Sequence, residues 1–185
     1  MLGGSFNPAH EGHRHVALVA LRRLGLDEIW WLVSPQNPLK ATAGMSSQAA
    51  RLDGARRMAR HPAFRVTGLE TRLGTRYTAD TLRVLLRRFP VARFVWLMGA
   101  DNLAQIPQWE RWPSIFQTVA VAVLDRSPYS LAALASKAAR RFAKGRRRAD
   151  RALLGTGKPA WTYIRLHCHP ASASAIRSRG NSVGR

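Results

Sequence analysis

The chain has 185 residues, of which 46% are apolar and 22% charged, so we expect one globular domain over residues 1–185 with a core of its own. Its single cysteine, Cys168, excludes an internal disulfide and a multi-cysteine metal site and favours the reducing cytoplasm, and the apolar runs are too short to span a membrane. The net charge of +20 predicts attraction to polyanions, which is typical of a nucleic-acid-binding protein or of one with a phosphate-rich substrate.

Apolar runs of strand length alternate with amphipathic helical stretches along the chain. Only Met1 and Leu2 precede the first glycines, so we expect the first strand to be clipped, with the numbering starting at an internal methionine. Further strands are predicted over 28–34, 64–69, 92–98, 118–124 and 160–166. Helices are predicted over 12–25, from Ser46 or Ser47 to about residue 61, over 78–89 with Thr78 as the N-cap, over 130–142 and from Ser174, with short helices within 103–116.

This alternation predicts an α/β fold, a Rossmann-like doubly wound parallel sheet with helices on both faces. Ligands of such sheets bind at the carboxyl ends of the strands, where the strand order reverses. No G-x-G-x-x-G run follows a strand, which argues against a nicotinamide-dependent dehydrogenase. Polar stretches follow the predicted strands, and we expect most of them to open onto one rim: residues 3–13, 35–40, 99–102 and 171–177.

The first of these stretches, GGSFNPAHEGH over residues 3–13, carries the clearest chemistry. His10 and His13 are three residues apart at the start of a helix, so both imidazoles can face one object. The glycines allow the backbone to approach that object closely, and a helix N-terminus attracts phosphate. A phosphate-handling loop is therefore predicted, although a glycine- and proline-rich turn with two surface histidines is the simpler alternative.

Three later segments offer polar or aromatic groups. Asp101 follows a buried strand, where it could recognise a ribose hydroxyl or simply cap a turn. Ser174 and Arg177 could grip a phosphate at a helix start, and an ordinary capped surface helix explains them equally well. Trp109 and Trp112 lie on a proline-broken segment, which is unusual for core tryptophans because their indole N–H groups need partners.

The string GGSFNPxHxGH resembles the nucleotide-binding motif of the nucleotidylyltransferase superfamily, [HT]-x-G-H, and its first half resembles the nicotinate-nucleotide adenylyltransferases of NAD biosynthesis. The order of the later motifs is also similar to that family: a P-x-x-P-L-K loop at 35–40, Y-T-x-x-T at 77–81, G-x-D at 99–101 and a softened serine–arginine motif at 172–177. The resemblance covers nearly the whole chain.

The resemblance implies transfer of AMP from ATP to nicotinate mononucleotide, with Mg²⁺ travelling with ATP and without a protein metal site. It implies a catalytic role for His13 at the α-phosphate, for His10 at the triphosphate and for Arg177 at the β- and γ-phosphates. The implied ATP site comprises Gly3, Gly4, Ser5, Phe6, Gly12, Asp101, Ser174 and Arg177. The implied nicotinate-nucleotide site comprises Lys40, Thr78, Asp101 and Trp109.

Two alternatives stay open from the residues alone. One is another adenylyltransferase, acting on nicotinamide mononucleotide or phosphopantetheine. The other is a basic nucleic-acid-binding protein driven by the charge of +20, although no zinc-finger spacing or RNA-recognition motif is present. We expect ATP and nicotinate mononucleotide as partners, no membrane and no specific nucleic acid, a monomer or homodimer, and a cytoplasmic location.

Overall fold

A six-stranded parallel sheet forms the centre of the protein, with strand order β3-β2-β1-β4-β5-β6. The computed structural model describes residues 1–35, 44–125 and 130–166. Two halves of the chain wind outward from the central β1–β4 pair, as in a Rossmann-like doubly wound sheet, so the predicted fold class is confirmed. The strands are β1 Leu2–Gly4, β2 Ile29–Val33, β3 Phe64–Thr67, β4 Val95–Gly99, β5 Ala120–Leu124 and β6 Trp161–Ile164.

Helices connect these strands in the order that the sequence pattern predicts. Within the described ranges they are α1 Glu11–Leu24, α2 Gln48–Met58, α3 Leu69–Leu73, α4 Thr78–Arg88, α5 Ala100–Gln105, α6 Trp112–Thr118, α7 Ser130–Leu134 and α8 Lys137–Arg141. Short 3₁₀ segments lie at Ile106–Gln108, Ala143–Gly145 and Arg151–Leu154. None of the helices in the described ranges has both the length and the apolar character needed to cross a membrane.

Two apolar cores cover the two faces of the sheet, because alternate residues of each buried strand point to opposite sides. Along β5, Ala120, Ala122 and Leu124 join the core beneath α1 and α2. Val121 and Val123 join the core beneath α4, α5 and α6. The uninterrupted apolar sequence of β5 thus reflects burial on both faces, and the predicted helices on both faces are confirmed.

Two local predictions are wrong, and one short helix was not predicted. The predicted helix over 130–142 is two helices, because Ser136 caps α8 by accepting a hydrogen bond from the Ala139 N–H at 3.3 Å. Thr78 is the first residue of α4 rather than its N-cap, and Tyr77 occupies the N-cap with an extended backbone. The five-residue α3 was not predicted, since it is too short to show periodicity and ends at Gly74 with φ +62°.

The three-residue β1 pairs with β2 on one side and with β4 on the other. Gly3 is required at the second pairing, because a Cβ atom there would lie 2.4 Å from the buried Trp96 ring. Glycine at this position therefore allows the indole of one central strand to pack directly against the backbone of the other.

Candidate active site

The centre of the sheet holds the candidate site, because β1 and β4 are neighbours while their chains continue to opposite sides. A doubly wound sheet opens a crevice outside the carboxyl ends of such a strand pair. The chain leaves β1 through residues 5–10 into α1, and it leaves β4 directly into α5. The HxGH motif and Asp101 therefore flank the same crevice, as the sequence predicts.

The two histidines of the motif form a close pair at the start of α1. His10 is the N-cap and is 3% exposed, and its ring centroid lies 3.8 Å from that of His13. The His10 backbone N–H donates to His13 Nδ1 at 3.2 Å. Because a backbone N–H can only donate, Nδ1 must accept, and a neutral His13 carries its proton on Nε2. His13 therefore has an Nε2–H that can donate to an anionic oxygen.

Phe6 fixes the position of the His13 ring. The Phe6 side chain is 2% exposed and lies between two rings, with centroid distances of 4.8 Å to His13 and 5.1 Å to Trp31. Its φ of +47° is in the left-handed region, which costs a residue with a Cβ about 1–3 kcal/mol unless packing compensates. Burial of the ring against Trp31 supplies that compensation, so the loop after β1 has a fixed conformation.

The remaining residues predicted around ATP occupy different positions along this loop. Gly3 lies inside β1 and Gly4 ends it, and the Gly4 carbonyl accepts from the Ser34 N–H at 3.0 Å. Gly12 is buried in the first turn of α1. The Ser5 carbonyl accepts a hydrogen bond from Arg51 at 2.7 Å. The structure thus brings Gly4, Ser5 and Gly12 to the start of α1, with Gly3 further back in the sheet.

Arg51 is a residue of this region that the sequence analysis missed. Its side chain is buried at 3% exposure, and burial lowers the pKa of its guanidinium. The guanidinium donates to backbone carbonyls of three segments, the loop after β1, the residues after β2 and the residues before α2, at distances of 2.7–3.0 Å: those of Ser5, Ser34, Pro35 and Ser46. Arg51 lies on the buried face of α2 with Ala55, two turns before the buried Ala59. A basic residue at a position where the helical spacing predicts burial is the pattern that could have identified it from the sequence.

Asn7 provides a second link between the loop after β1 and the residues before α2. Its amide Nδ2 donates to the Gly44 carbonyl at 3.1 Å, and its Oδ1 accepts from the Ser46 N–H at 3.3 Å. Together with Arg51, it holds residues 44–46 against the loop that carries the histidines. The asparagine of the GGSFNP string therefore has a structural role, which is to hold these two segments together.

Three residues predicted to bind the nicotinate nucleotide lie on elements that follow β3 and β4. Asp101 is the second residue of α5 and is half-buried. Thr78 begins α4, at the end of the helix that carries a partial positive charge. Trp109 follows the 3₁₀ segment and is half-buried against the core, whereas Trp112 is a core residue at 8% exposure that packs on Phe116. The expectation that Trp112 is unusual for the core is therefore wrong.

An ion-pair cluster joins the start of α4 to the tryptophan segment. The Asp80 carboxylate accepts hydrogen bonds from both Arg83 and Arg111. The Arg111 guanidinium also lies 5.8 Å from the centroid of the Tyr77 ring, in a cation–π geometry. Thr78 and Trp109 thus sit on segments that are linked to each other by Asp80 and Arg111, a contact between residues far apart in sequence.

Lys40, Ser174 and Arg177 lie outside the described residues, and their predicted roles remain predictions. Among the residues that are described, no group of three or more His, Cys, Asp or Glu side chains could hold a metal ion. A cavity of about 550 Å³ lies at the opposite, amino-terminal edge of the sheet, lined among others by Glu28, Trp30 and Phe94, and it is separate from the crevice.

Comparison with known proteins identifies the class of molecule to which this fold and crevice belong. The chain belongs to the cytidylyltransferase-like family, whose family model matches residues 1–179. A protein of Parvibaculum lavamentivorans named as a probable nicotinate-nucleotide adenylyltransferase is 54% identical over 97% of this chain and 90% of its own length. One of Cereibacter sphaeroides with the same name is 52% identical over 100% of this chain and 98% of its own.

These relatives confirm the resemblance to the nicotinate-nucleotide adenylyltransferases, and the chain is a nucleotidyltransferase. Among solved structures, the Plasmodium falciparum nicotinic acid mononucleotide adenylyltransferase in complex with APC matches with a TM-score of 0.68 and 16% identity, over 96% of this chain and 80% of that one. The same enzyme in complex with NaAD matches with a TM-score of 0.67 and 17% identity. At such identities the likeness shows the shared fold.

Proposed function

We propose that the protein transfers AMP from ATP to nicotinate mononucleotide, forming nicotinate adenine dinucleotide and releasing pyrophosphate. The observation that carries this proposal is the His10–His13 pair at the first turn of α1, beside the strand-order reversal of the sheet. Relatives more than 50% identical that are named for this activity support the choice of substrates.

The reaction is an in-line displacement at phosphorus. An oxygen of the nicotinate mononucleotide phosphate attacks the α-phosphorus of ATP, and the bond from that phosphorus to the oxygen bridging to the β-phosphate breaks. The attacking group is already an anion, so no general base is required. The protein must align the two phosphates and stabilise negative charge on the α-phosphate and the leaving pyrophosphate.

The ATP half of the site uses the loop after β1 and the start of α1. His13 donates its Nε2–H to the α-phosphate, and His10 contacts the triphosphate. The geometry that supports this is the acceptance by His13 Nδ1 of a backbone N–H, which leaves the other nitrogen as the donor. The proposal keeps the other predicted ATP contacts: Gly3, Gly4, Ser5, Phe6, Gly12, Asp101, Ser174 and Arg177.

The acceptor half uses the start of α4 and the tryptophan segment. Thr78 and the first turn of α4 suit the nicotinate carboxylate, because a helix N-terminus stabilises an anion. The Trp109 ring lies beside the pyridine, Lys40 meets the nucleotide phosphate and Asp101 accepts from a ribose hydroxyl. The Asp80–Arg111 contact supports this assignment by tying the first two segments together.

Mg²⁺ enters this proposal as a companion of ATP. Magnesium commonly binds through substrate phosphates and water rather than through an all-protein cage, and the described residues provide no such cage. When bound, it would neutralise charge on the phosphates. We further propose that residues 1–185 form one domain, and that the protein is a cytoplasmic monomer or homodimer.

Pyrophosphate release tests the proposed function directly. The purified protein is incubated with ATP and Mg²⁺, and nicotinate mononucleotide, nicotinamide mononucleotide and phosphopantetheine are compared as acceptors. We expect release with the nicotinate form and the highest kcat/KM for it. Preference for another acceptor would contradict the assignment of the acceptor site, and salt-sensitive nucleic-acid binding without release would favour the alternative class.

His13→Ala tests the assigned transition-state contact. We expect kcat to fall by roughly 10²–10³, because one preorganised donor to a developing charge contributes about 3–4 kcal/mol. His61→Ala is the matched control, because His61 precedes the edge strand β3 and therefore lies at the amino-terminal ends of the strands, away from the crevice. Near-normal turnover by the His13 variant, with its fold intact by circular dichroism, would remove His13 from the mechanism.

A further inference from the structure

A buried carboxyl group lies on α3, the helix that precedes the proposed nicotinate site at the start of α4. Glu70, on α3, is 7% exposed, and Thr81, on α4, is fully buried. Thr81 Oγ1 lies 3.5 Å from Glu70 Oε1, at the outer limit of a hydrogen bond, and 2.8 Å from Thr75 Oγ1. It also lies 3.2 Å from the Tyr77 carbonyl oxygen. These contacts surround the turn that leads from α3 into α4.

The same turn is closed by backbone hydrogen bonds. The Thr75 N–H donates to the Glu70 carbonyl at 3.0 Å, and the Thr81 N–H donates to the Tyr77 carbonyl at 3.1 Å. Residues 75–77 are therefore held from both ends, by α3 and by the first turn of α4. Thr78, the residue proposed to meet the nicotinate carboxylate, follows immediately.

A count of protons shows which form of Glu70 satisfies the cluster. Three contacts need a proton: Thr75 to Thr81, Thr81 to the Tyr77 carbonyl, and Thr81 to Glu70. The two hydroxyls supply only two protons, and an ionised carboxylate supplies none. A protonated Glu70 supplies the third by donating to Thr81 Oγ1. The neutral carboxyl therefore fits this arrangement and the carboxylate leaves one contact unmade.

We infer that Glu70 is a positioning residue for the nicotinate subsite: as a neutral acid it holds the 75–77 turn through Thr81 and Thr75, and its lack of charge keeps the start of α4 favourable for the carboxylate of the substrate. The inference rests on the proposed function and deepens it, since it assigns to Glu70 a part in the preference for an acidic pyridine nucleotide.

The environment of Glu70 agrees with a neutral group. Burial raises its pKa to about 7; when Glu70 is ionised, Thr81 donates to the carboxylate instead, and this hydrogen bond partly opposes that rise. The neighbouring β2 carries only apolar residues, and α2 approaches α3 through Gln48, which accepts from Thr71 at 3.0 Å. Asp80 is paired to Arg83 and Arg111. The charged and titratable side chains of α3, the turn and α4 around Glu70 are Arg72, Arg76, Tyr77, Asp80, Arg83, Arg87 and Arg88.

Ionisation of Glu70 then opposes substrate binding in two ways. It removes one of the contacts that hold the turn, and it adds a negative charge next to Thr81 of α4, the helix whose start is proposed to bind the negatively charged nicotinate. Nicotinamide mononucleotide has a neutral amide on its ring, so only the loss of the turn contact affects it. The acid and amide substrates should therefore differ in how their binding changes with pH.

The test compares wild type with Glu70→Gln, whose amide can donate to Thr81 but cannot ionise. KM for nicotinate mononucleotide, KM for ATP and kcat are measured by pyrophosphate release from about pH 6 to about pH 9. We expect the ratio of the wild-type to the variant KM for nicotinate mononucleotide to rise roughly tenfold over this range, the factor for one pKa unit of interaction between two charges. The ratio for ATP should stay constant.

Taking this ratio removes the titration of the substrate phosphate and of the histidines, which both proteins share. Asp53→Asn is the matched control, because it removes an exposed carboxylate on α2, and its ratio should not change with pH. If the ratio of wild-type to Glu70→Gln KM for nicotinate mononucleotide does not change with pH, or if it rises equally for nicotinate mononucleotide and ATP, the inference is overturned.

A second variant keeps the test decisive if Glu70→Gln does not fold. Thr75→Val removes one hydroxyl of the cluster and leaves Glu70 in place. A higher KM for nicotinate mononucleotide with an unchanged KM for ATP supports the inference, and unchanged values for both contradict it. If wild type releases no pyrophosphate with nicotinate mononucleotide, the proposed function itself fails, which is a different result from a normal reaction with a flat ratio.

Discussion

Replacement of Arg51 by glutamine removes the buried cation that joins three chain segments beside the crevice. The guanidinium donates to carbonyls at 2.7–3.0 Å from residues 5, 34, 35 and 46, and a glutamine amide cannot bridge all of them. A hydrogen bond involving a charged group contributes about 1.5–3 kcal/mol, but the four share one side chain and are not additive. The variant also avoids the cost of burying a charge, which already lowers the Arg51 pKa.

We therefore expect Arg51→Gln to lower the free energy of unfolding by about 3–5 kcal/mol, because carbonyls of separate segments lose their donor and each buried acceptor left unsatisfied costs about 1–3 kcal/mol. With a urea m-value of about 2 kcal/mol/M, the midpoint falls by roughly 2 M. Arg57→Gln, on the exposed face of α2, is the control and should change stability by less than about 0.5 kcal/mol. A loss below about 1 kcal/mol for Arg51→Gln would refute the argument that this residue holds the three segments together.

Two further outcomes concern Glu70 and Gly3. The pKa of Glu70 is about 7 in the folded protein and 4.5 as a free group, so the folded state keeps a proton that the unfolded chain releases between these values. The stability from this group is complete below pH 4.5 and is lost as pH rises through 7. The free energy of unfolding of Glu70→Gln, measured in urea titrations, should therefore rise relative to that of wild type by up to about 3 kcal/mol between about pH 5 and pH 8. A difference that does not change with pH would contradict the raised pKa. Gly3→Ala should destabilise by about 2 kcal/mol or more and lower Tm, because its Cβ would lie 2.4 Å from the Trp96 ring, and an unchanged Tm would show that the indole can move.

Much of the fold follows from local pattern. The apolar run over 28–34 predicts a buried strand, and β2 occupies Ile29–Val33. The helical spacing before Gly25 predicts α1, and Gly25 ends it with φ +56°. These predictions succeed because burial on both faces of a sheet and on one face of a helix leaves periodic traces in the sequence. The short α3 and the break between α7 and α8 fail because five-residue helices leave no such trace.

The candidate site was likewise predicted from the sequence in part, and the rest of it depends on the tertiary structure. The sequence alone determined the α/β class and the His10–His13 pair, because residue type and spacing along one helix turn are local properties. Only the tertiary structure decided that β1 lies beside β4, that Arg51 reaches carbonyls of three separate segments, and that Glu70 is buried against Thr81. Strand order and buried polar contacts join residues that are distant along the chain, and a contact of that kind imposes no period on either of the segments that make it.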